Sequence, residues 1–435
     1  MDRLSNLPDE IVAHILSFLP IEEAVRTSIL SSRWRYMFRL ITSLCFDDSF
    51  IVYNSRDYEG QCLCFKEFVY RVMKLRMTSN IKKFSVKCRH RESYGGRHVH
   101  EWIRAAISRG VQEICLDFGH FIQDFLPRRL FNCQTLVVLQ LSFWCRKVTL
   151  EISPSVSLPN VKVIHLRRIQ LTDAINRLFS GCPSLEDLSL EGYRRTDSLV
   201  HTISIPPLKT LTLHGLDPAS SSEETVEIKI DAPNLVYFKC TGDISESYSL
   251  KNSNALAEAV INASCLSKSH LLLALIRAVS NVKVMHLLGH SLKSLNHGDF
   301  NDDKLELPMF CNLSRLELDL GIDTWEYGGW ELLPELLAAA PKLETLVFTK
   351  GLLDYCSRHE DGFPSLPVLP ISSCLKVIEV NRFRGHRQEF YIAEYLLRNA
   401  KVLNQMILHK TQMTMEEGLH ARLLTKKCVF KGFRR

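Results

Sequence analysis

Long hydrophobic runs are missing from this chain. The most apolar stretch, Leu271 to Ile276, falls far short of the ~18 residues that suggest a membrane span. The N-terminus carries Asp2, Asp9 and Glu10 and lacks the basic-then-apolar layout of a secretory signal, so nuclear and/or cytoplasmic residence is expected. Paired cysteine spacing is missing too. Fourteen cysteines run from Cys45 to Cys428, and Cys115, Cys133 and Cys240 sit in or beside apolar stretches. They read as small hydrophobes in a reducing compartment, not as a disulfide framework. Glycine is sparse, at 19 residues. The phosphate-cradling glycine patterns of dinucleotide and P-loop sites do not occur, nor does a Gly-x-Ser-x-Gly nucleophile turn. Net charge is only +6. The 46% apolar and 23% charged content excludes a disordered chain, a collagen and a coiled-coil rod.

The first 40 residues read as three short helices. Leu7-Pro8 opens the first, with Pro8 at the first helical position, where its missing amide is no loss. Ile11, Val12, Ile15, Leu16, Phe18 and Leu19 then span an arc of about 160° at helical spacing. Leu19-Pro20 ends it. Ala24, Val25 and Ile29 mark a second helix. Ser31-Ser32 caps a third over Arg33 to Leu40, carrying Trp34 and Phe38. A bundle of this size cannot bury a sufficient core alone, and its apolar arc exceeds what one neighbouring helix covers. The surplus packs on the rest of this chain or docks on another protein.

These residues carry a resemblance. Asp2-Arg3-Leu4-Ser5-Asn6-Leu7-Pro8-Asp9-Glu10-Ile11, His14-Ile15-Leu16-Ser17-Phe18-Leu19-Pro20, Ala24-Val25-Arg26-Thr27-Ser28 and Leu30-Ser31-Ser32-Arg33-Trp34-Arg35 follow in unbroken register. The segment resembles an F-box of the plant F-box/FBD/leucine-rich-repeat family. The resemblance implies that it binds the adaptor subunit of an SCF-type cullin-RING ubiquitin ligase. Leu7, Pro8, Ile11, Ile15, Leu16, Val25 and Trp34 are then the candidates for adaptor contact or bundle integrity.

The long middle is repetitive. A Leu-x-x-Leu-x-Leu template with apolar substitutions recurs 13 times, from Ile81/Phe84/Val86 through Leu185/Leu188/Leu190 and Leu313/Leu316/Leu318 to Leu403/Met406/Leu408. The spacing fits leucine-rich repeats. Helical periodicity fills gaps at Leu63 to Arg76, His100 to Arg109, Thr172 to Ser180, His270 to Val279, Trp330 to Ala340 and Glu389 to Asn399. Helix, turn and short strand, repeated, predict an α/β fold: a short three-helix F-box followed by an irregular leucine-rich-repeat solenoid, a horseshoe-like arc with a parallel sheet. The Asn or Cys that regular repeats place three residues past the last leucine is missing. Ile169, Tyr193, Leu216 and Gly321 stand there, so uneven loops are expected, with bulges at Asp217 to Glu224 and Asn296 to Lys304.

Near Ile371 the pattern changes. Cys374 to Val380, Phe383-Arg384-Gly385 and Tyr395 to Leu403 are similar to the FBD module of the same family, capping the solenoid. The expected division is therefore 1–47, 48–370 and 371–435. From Lys376 onward 13 Lys/Arg face five Asp/Glu, a net of +8, against −2 for the rest. The tail Arg422 to Arg435 holds six basic residues and no acidic one. It reads as a phosphate-binding segment, an import signal or a solvated end.

Outward positions between template leucines supply the candidate target contacts: His165, Arg167, Asp187, Glu191, His214, Arg315, Glu317 and Asp319. Bond chemistry has little to stand on. Cys88, His90, His98, His100 and Glu101 offer zinc-ligand chemistry, but they lack Cys-x-x-Cys or His-x3-His spacing, and interleaved Arg89, Arg91 and Arg97 repel a cation. The cluster reads as a solvated loop leading into the Trp102 helix. No metal, cofactor or catalytic residue is assigned. Three functions follow: a non-catalytic substrate receptor of the ligase, joined through its adaptor to a cullin-RING scaffold and holding an unknown protein target; an interaction scaffold without degradation; and, against the lack of aromatic-basic interleaving, a nucleic-acid binder through the basic zone.

Overall fold

A computed structural model of the chain describes residues 7–50, 58–75, 80–88, 96–119, 125–144, 148–192, 194–195, 200–215, 226–244, 246–264, 269–296, 306–319, 332–352, 374–400, 402–410 and 428–431. Two compact units divide at residues 197 and 198. The loops 217–224 and 297–304, His90 and most of the basic tail lie outside the described residues.

The first unit opens with helices α1 (Asp9–Leu16) and α2 (Ile21–Arg26) and a 3-10 helix over Trp34–Leu40. Pro8 precedes the first helical residue, with ψ at 150°, instead of occupying the first helical position. Its carbonyl accepts the N–H groups of Ile11 and Val12 at 3.0 and 3.1 Å, which a residue outside the helix can still do. Pro20 starts α2 in the same way, accepting from Ala24 at 3.0 Å. Ser31 Oγ accepts the Trp34 N–H at 3.3 Å, so the expected capping serine is in place, although the segment it caps winds as a 3-10 helix. Val12, Leu16, Ile21, Ala24, Trp34 and Phe38 make the small core.

Six ladder strands follow. They are β1 (Ser43–Asp47), β2 (Lys83–Cys88), β3 (Glu113–Phe118), β4 (Val138–Phe143), β5 (Val163–Arg167) and, after the two-residue β6 (Gln170–Leu171), β7 (Asp187–Glu191); a short β8 (Arg194–Arg195) pairs with β6. The ladder strands are parallel throughout. Successive side chains of a strand point to opposite faces, so the second and third template residues fall on one side. Leu44, Phe84, Ile114, Leu139, Ile164 and Leu188 stand in one register, and all are fully buried. Each such side chain stabilises the stack by about 1.5–3 kcal/mol. Ile41, Leu44 and Phe46, buried likewise, are a further copy of the template, so the ladder begins inside segment 1–47. Helices α3 (Tyr58–Leu75), α4 (Gly96–Ile107) and α5 (Asp173–Ser180) occupy gaps read as helical.

In the second unit β10 (Thr210–His214), β12 (Tyr237–Asp243), β14 (Glu258–Ser264), β15 (Val284–Leu287), β16 (Arg315–Leu318), β17 (Thr345–Phe348), β18 (Val377–Phe383), β19 (Gln405–Lys410) and β20 (Cys428–Lys431) form an open parallel ladder. Every template copy seen in the sequence lies on or beside a ladder strand of one unit or the other. Three further strands, β9 (Val200–Ser204), β11 (Val226–Asp231) and β13 (Glu246–Lys251), make a second parallel sheet. They stand where other repeats carry helices. Val226-Glu-Ile-Lys-Ile230 alternates with period two, which suits a strand. Beyond them lie α6 (Ser269–Ala278), α7 (Gly289–Asn296), α8 (Leu333–Ala339) and α9 (Arg387–Asn399).

The polar ladder missing after the strands is found before them. Asn160 Nδ2 donates to the Gln134 carbonyl at 2.7 Å, Asn234 Nδ2 to that of Pro206 at 3.0 Å, and Asn312 Nδ2 to Asn281 Oδ1 at 2.5 Å. Each amide sits in the turn entering a strand and reaches back one repeat.

Glu389 anchors the C-terminal repeats. It is 1% exposed, and its Oε2 accepts the backbone N–H groups of Arg384, Gly385 and His386 at 2.9, 2.8 and 3.2 Å. Burial pushes its carboxyl above the ordinary range despite those bonds.

Candidate functional site

The candidate contact residues fall on two surfaces of the first unit and one of the second. The first is the N-terminal bundle. Its small core closes over Leu16 and Trp34, so these two act through bundle integrity. Leu7 and Val25 are half-buried, and Pro8 is exposed. Ile11 and Ile15 point outward, 46% and 38% exposed. Phe18, Leu19, Ile29 and Leu30 are also out, with Phe18 at 76%, Ile29 at 87% and Leu30 at 67%. Helical periodicity marks Phe18, Leu19 and Ile29 only as members of an apolar face, and it singles out none of the four as a contact. Their signal is position: they lie in the turns just after α1 and α2. The large apolar groups of a short module therefore face solvent on α1 and in the turns that follow α1 and α2. Arg33 braces the entry, donating to Asp9 Oδ1 at 2.6 Å and to the Leu7 carbonyl. Glu22 faces the other way. It is buried and accepts the Asp47 N–H at 3.2 Å, which ties the bundle to β1. Burial raises its carboxyl above the usual value.

The second surface is the strand face of the first unit and the rim where its strands end. His165 Nε2 lies 3.4 Å from Asp187 Oδ2, and Arg167 Nε lies 3.6 Å from Glu191 Oε2. The parallel register thus brings these four expected contacts together. Trp144 joins them, although no repeat position in the sequence points to it. It follows β4 directly and is 46% exposed, whereas Trp34 and Trp102 are buried. Its indole Nε1 donates to Asp117 Oδ1 at 2.7 Å, and the Arg167 guanidinium lies 5.5 Å from its ring centroid, within cation–π range. Arg168 donates to its carbonyl at 2.8 Å. Arg168 has φ at +56°, a left-handed conformation that costs a non-glycine residue about 1–2 kcal/mol. In the next repeat the same place is Gly192, φ +57°, where that cost vanishes.

The third surface is the strand face of the second unit. His286 bridges two strands, with Nε2 3.1 Å from Glu258 Oε1 and Nδ1 2.9 Å from Glu317 Oε2. Arg315 Nε lies 2.7 Å from Glu317 and its Nη2 3.8 Å from Glu379, which His409 Nε2 meets at 2.8 Å. His214 Nδ1 is 2.6 Å from Thr241 Oγ1. Asp319 is not open to solvent as expected. It is 3% exposed and lies 2.8 Å from Lys350 Nζ, just past the end of β16, so it is already engaged within the chain. The remaining pairs are partly exposed and worth about 0–1 kcal/mol each, so a partner can rearrange them cheaply.

Two thiols are shielded from reaction. Burial pushes the Cys115 thiol up to about 11 and that of Cys182 up to about 12, which keeps both protonated at neutral pH. Among the described residues no three or more His, Cys, Asp and Glu side chains are grouped so as to hold a metal ion. None of the described helices is long and apolar enough to cross a membrane.

Comparison with known families agrees with this layout. The F-box domain family matches residues 4–44, the leucine-rich repeats of the FBD-associated F-box protein At5g56370 match residues 99–253, and the FBD family matches residues 364–408. The chain is 31% identical to the putative F-box/FBD/LRR-repeat protein At3g59240 of Arabidopsis thaliana, over 97% of this chain and 86% of that protein. It is likewise 31% identical to the F-box/LRR-repeat protein At4g14096 of the same plant, over 99% and 92%. An N-terminal F-box, a repeat ladder and a C-terminal FBD segment in that order, with such identity along nearly the whole length, mean that the chain belongs to the plant F-box/FBD/leucine-rich-repeat family.

Proposed function

We propose that this protein is a substrate-recognition subunit of an SCF-type cullin-RING ubiquitin ligase. Its F-box binds the adaptor subunit and its repeats hold a target protein. The observation that carries the reading is the exposed apolar set Ile11, Ile15, Phe18, Leu19, Ile29 and Leu30 on a module with little core of its own. Leaving such groups in water is unfavourable, and a partner that covers them gains what the module cannot supply. The chain performs no bond chemistry in this reading. It raises the local concentration of target lysines near a charged ubiquitin carrier.

The test is reconstitution. The full chain is mixed with a purified Skp1-type adaptor, cullin and RING subunit, and complex formation is followed by size-exclusion chromatography. A stoichiometric complex that is lost on replacing Ile11 and Ile15 with serine supports the proposal. Failure to associate at micromolar concentration overturns it. A nuclear and/or cytoplasmic site of action is part of the same proposal, and imaging of a fluorescent fusion tests it.

A further inference from the structure

We propose that Glu22 is a positioning residue. It locks the N-terminal bundle onto the first strand of the ladder, so that the adaptor-binding surface keeps one orientation to the repeats of the first unit. This rests on the reading that the bundle binds the adaptor, and it adds how that surface is aimed.

Helix α2 shows why the position matters. It is only six residues long, Ile21–Arg26. Phe18 and Leu19 stand shortly before it and Ile29 and Leu30 shortly after it, all exposed. Its inner side carries Ile21 and Ala24, both buried. Glu22 is buried with them, at 6% exposure, where an amphipathic helix ordinarily places an apolar residue. A glutamate almost never goes fully inside without a partner. The same short helix thus joins the exposed apolar set to the interior.

The partner is the edge of the ladder. Among the described residues β1 pairs with β2 on one side only. An edge strand leaves N–H groups without a ladder acceptor, and Glu22 Oε1 takes that of Asp47 at 3.2 Å. Asp47 is fixed in turn. Its Oδ1 accepts the Ser49 N–H at 3.0 Å, and its Oδ2 lies 3.7 Å from Lys87 Nζ on β2. The pin therefore runs from α2 through the end of β1 to the second strand.

A second attachment is covalent. The 3-10 helix ends at Leu40 and β1 starts at Ser43, which leaves Ile41 and Thr42 between them. Ile41 is buried, and its N–H donates to the Phe38 carbonyl at 3.3 Å. The Thr42 carbonyl accepts the N–H groups of Lys82 and Lys83 at 2.9 and 3.3 Å. One tether fixes a distance and leaves a swivel; a second tether on α2 removes the swivel. An apolar side chain at position 22 would fill the same space without stopping that rotation, because hydrophobic burial is non-directional and a hydrogen bond is not.

The experiment uses the full chain with two substitutions. Glu22→Leu fills the buried volume and accepts no hydrogen bond, whereas Glu22→Gln still accepts one. Burial already pushes the Glu22 carboxyl toward its neutral form, which glutamine resembles. Adaptor affinity is read by calorimetric titration with a purified Skp1-type adaptor. Hydrogen exchange with mass spectrometry follows the segment holding Asp47. In the reconstituted complex of adaptor, cullin and RING subunit, ubiquitin is mapped on the chain's own lysines. Those of the first unit stand at graded places along the ladder, from Lys66 and Lys74 on α3 to Lys83 on β2 and Lys162 before β5, so their use reports orientation.

Glu22→Leu should bind the adaptor within about threefold of the parent and melt no lower, since an apolar replacement of a buried charge is often neutral. The Asp47 amide should exchange about tenfold faster, as loss of a hydrogen bond to a carboxyl implies. Ubiquitin should spread over more lysines, with the share on the most modified one falling by about twofold or more. Glu22→Gln should match the parent in all three. The inference is overturned if Glu22→Leu keeps the parent's lysine pattern, or if Glu22→Gln does not restore it. It is also overturned if Glu22→Leu loses both its melting temperature and more than about tenfold in adaptor affinity, which would make Glu22 a part of the bundle's fold alone. In each of those cases the receptor reading stands. If the parent chain itself does not bind the adaptor, the receptor reading falls and this role falls with it.

Discussion

Replacing Ile29 and Leu30 by serine separates surface from core in the N-terminal bundle. Ile29 is 87% exposed and Leu30 67%, so neither contributes much to the fold, and each is open to being covered by a partner. Full burial of a large aliphatic side chain is worth about 1.5–3 kcal/mol. Scaled by its exposure, Ile29 alone has about 1.3–2.6 kcal/mol to give. At 1.4 kcal/mol per tenfold change, Ile29→Ser should weaken adaptor affinity by roughly 8- to 70-fold, and the double variant by more. Isothermal titration calorimetry with the purified adaptor measures this, and thermal melting should show the variants as stable as the parent. Trp34→Ala is the contrasting case. Trp34 is 7% exposed, so its truncation should cost about 3–5 kcal/mol of stability and abolish binding by unfolding the bundle. The reasoning is refuted if the double variant binds the adaptor within twofold of the parent, because the exposed cluster would then have no part in docking.

Other perturbations reach the repeats. Glu389→Ala strips three part-buried N–H groups of their shared acceptor and should cost about 1–3 kcal/mol in urea unfolding; an unchanged midpoint would contradict the anchoring role. Burial raises Glu389 above its ordinary value of 4.5, so the folded chain holds that proton to higher pH than the unfolded chain. The stability the group contributes is therefore present at low pH and lost as pH rises through the folded value. Glu389→Gln should remove this slope on the alkaline side of 4.5, and a slope of opposite sign in the parent would refute the assignment. A Cβ at Gly181 would stand 2.4 Å from Val156 Cγ1 and 2.8 Å from its carbonyl oxygen, so Gly181→Ala should destabilise the first unit by about 1–3 kcal/mol, read by chemical denaturation. Iodoacetamide at mildly alkaline pH should label the exposed Cys64 and Cys311 in the native chain while Cys115 and Cys182 stay protected; mass spectrometry showing Cys182 labelled as fast as Cys64 would rule out its burial.

The repeat template is legible because it is local. Three apolar residues within six positions suffice to define a buried strand edge, and the parallel register then follows from stacking like on like. The copy at Ile41, Leu44 and Phe46 is hard to see because it lies inside the F-box resemblance. The second sheet of β9, β11 and β13 is hidden for another reason: short alternating runs in a loop become strands only when neighbouring repeats offer partners. The amide ladder of Asn160, Asn234 and Asn312 stands at the entry of the strands and not at their far end. Its donors are ordinary turn residues, and only the repeat behind them shows what they bond.

The site divides in the same way. By itself the sequence determined the module order, the α/β repeat architecture and the wide apolar arc of the first helices, because each is written in the spacing of hydrophobic residues along a few turns of chain. Tertiary structure decided which apolar groups stay outside. Leu16 and Trp34 go in, while Phe18, Ile29 and Leu30 stay out; helical periodicity gives a face but not its neighbour. It also decided that Asp319 is buried and that Trp144 and Arg167 meet across a strand boundary. Such contacts join residues from different repeats, and their energies exist only once the ladder has set the distance between them.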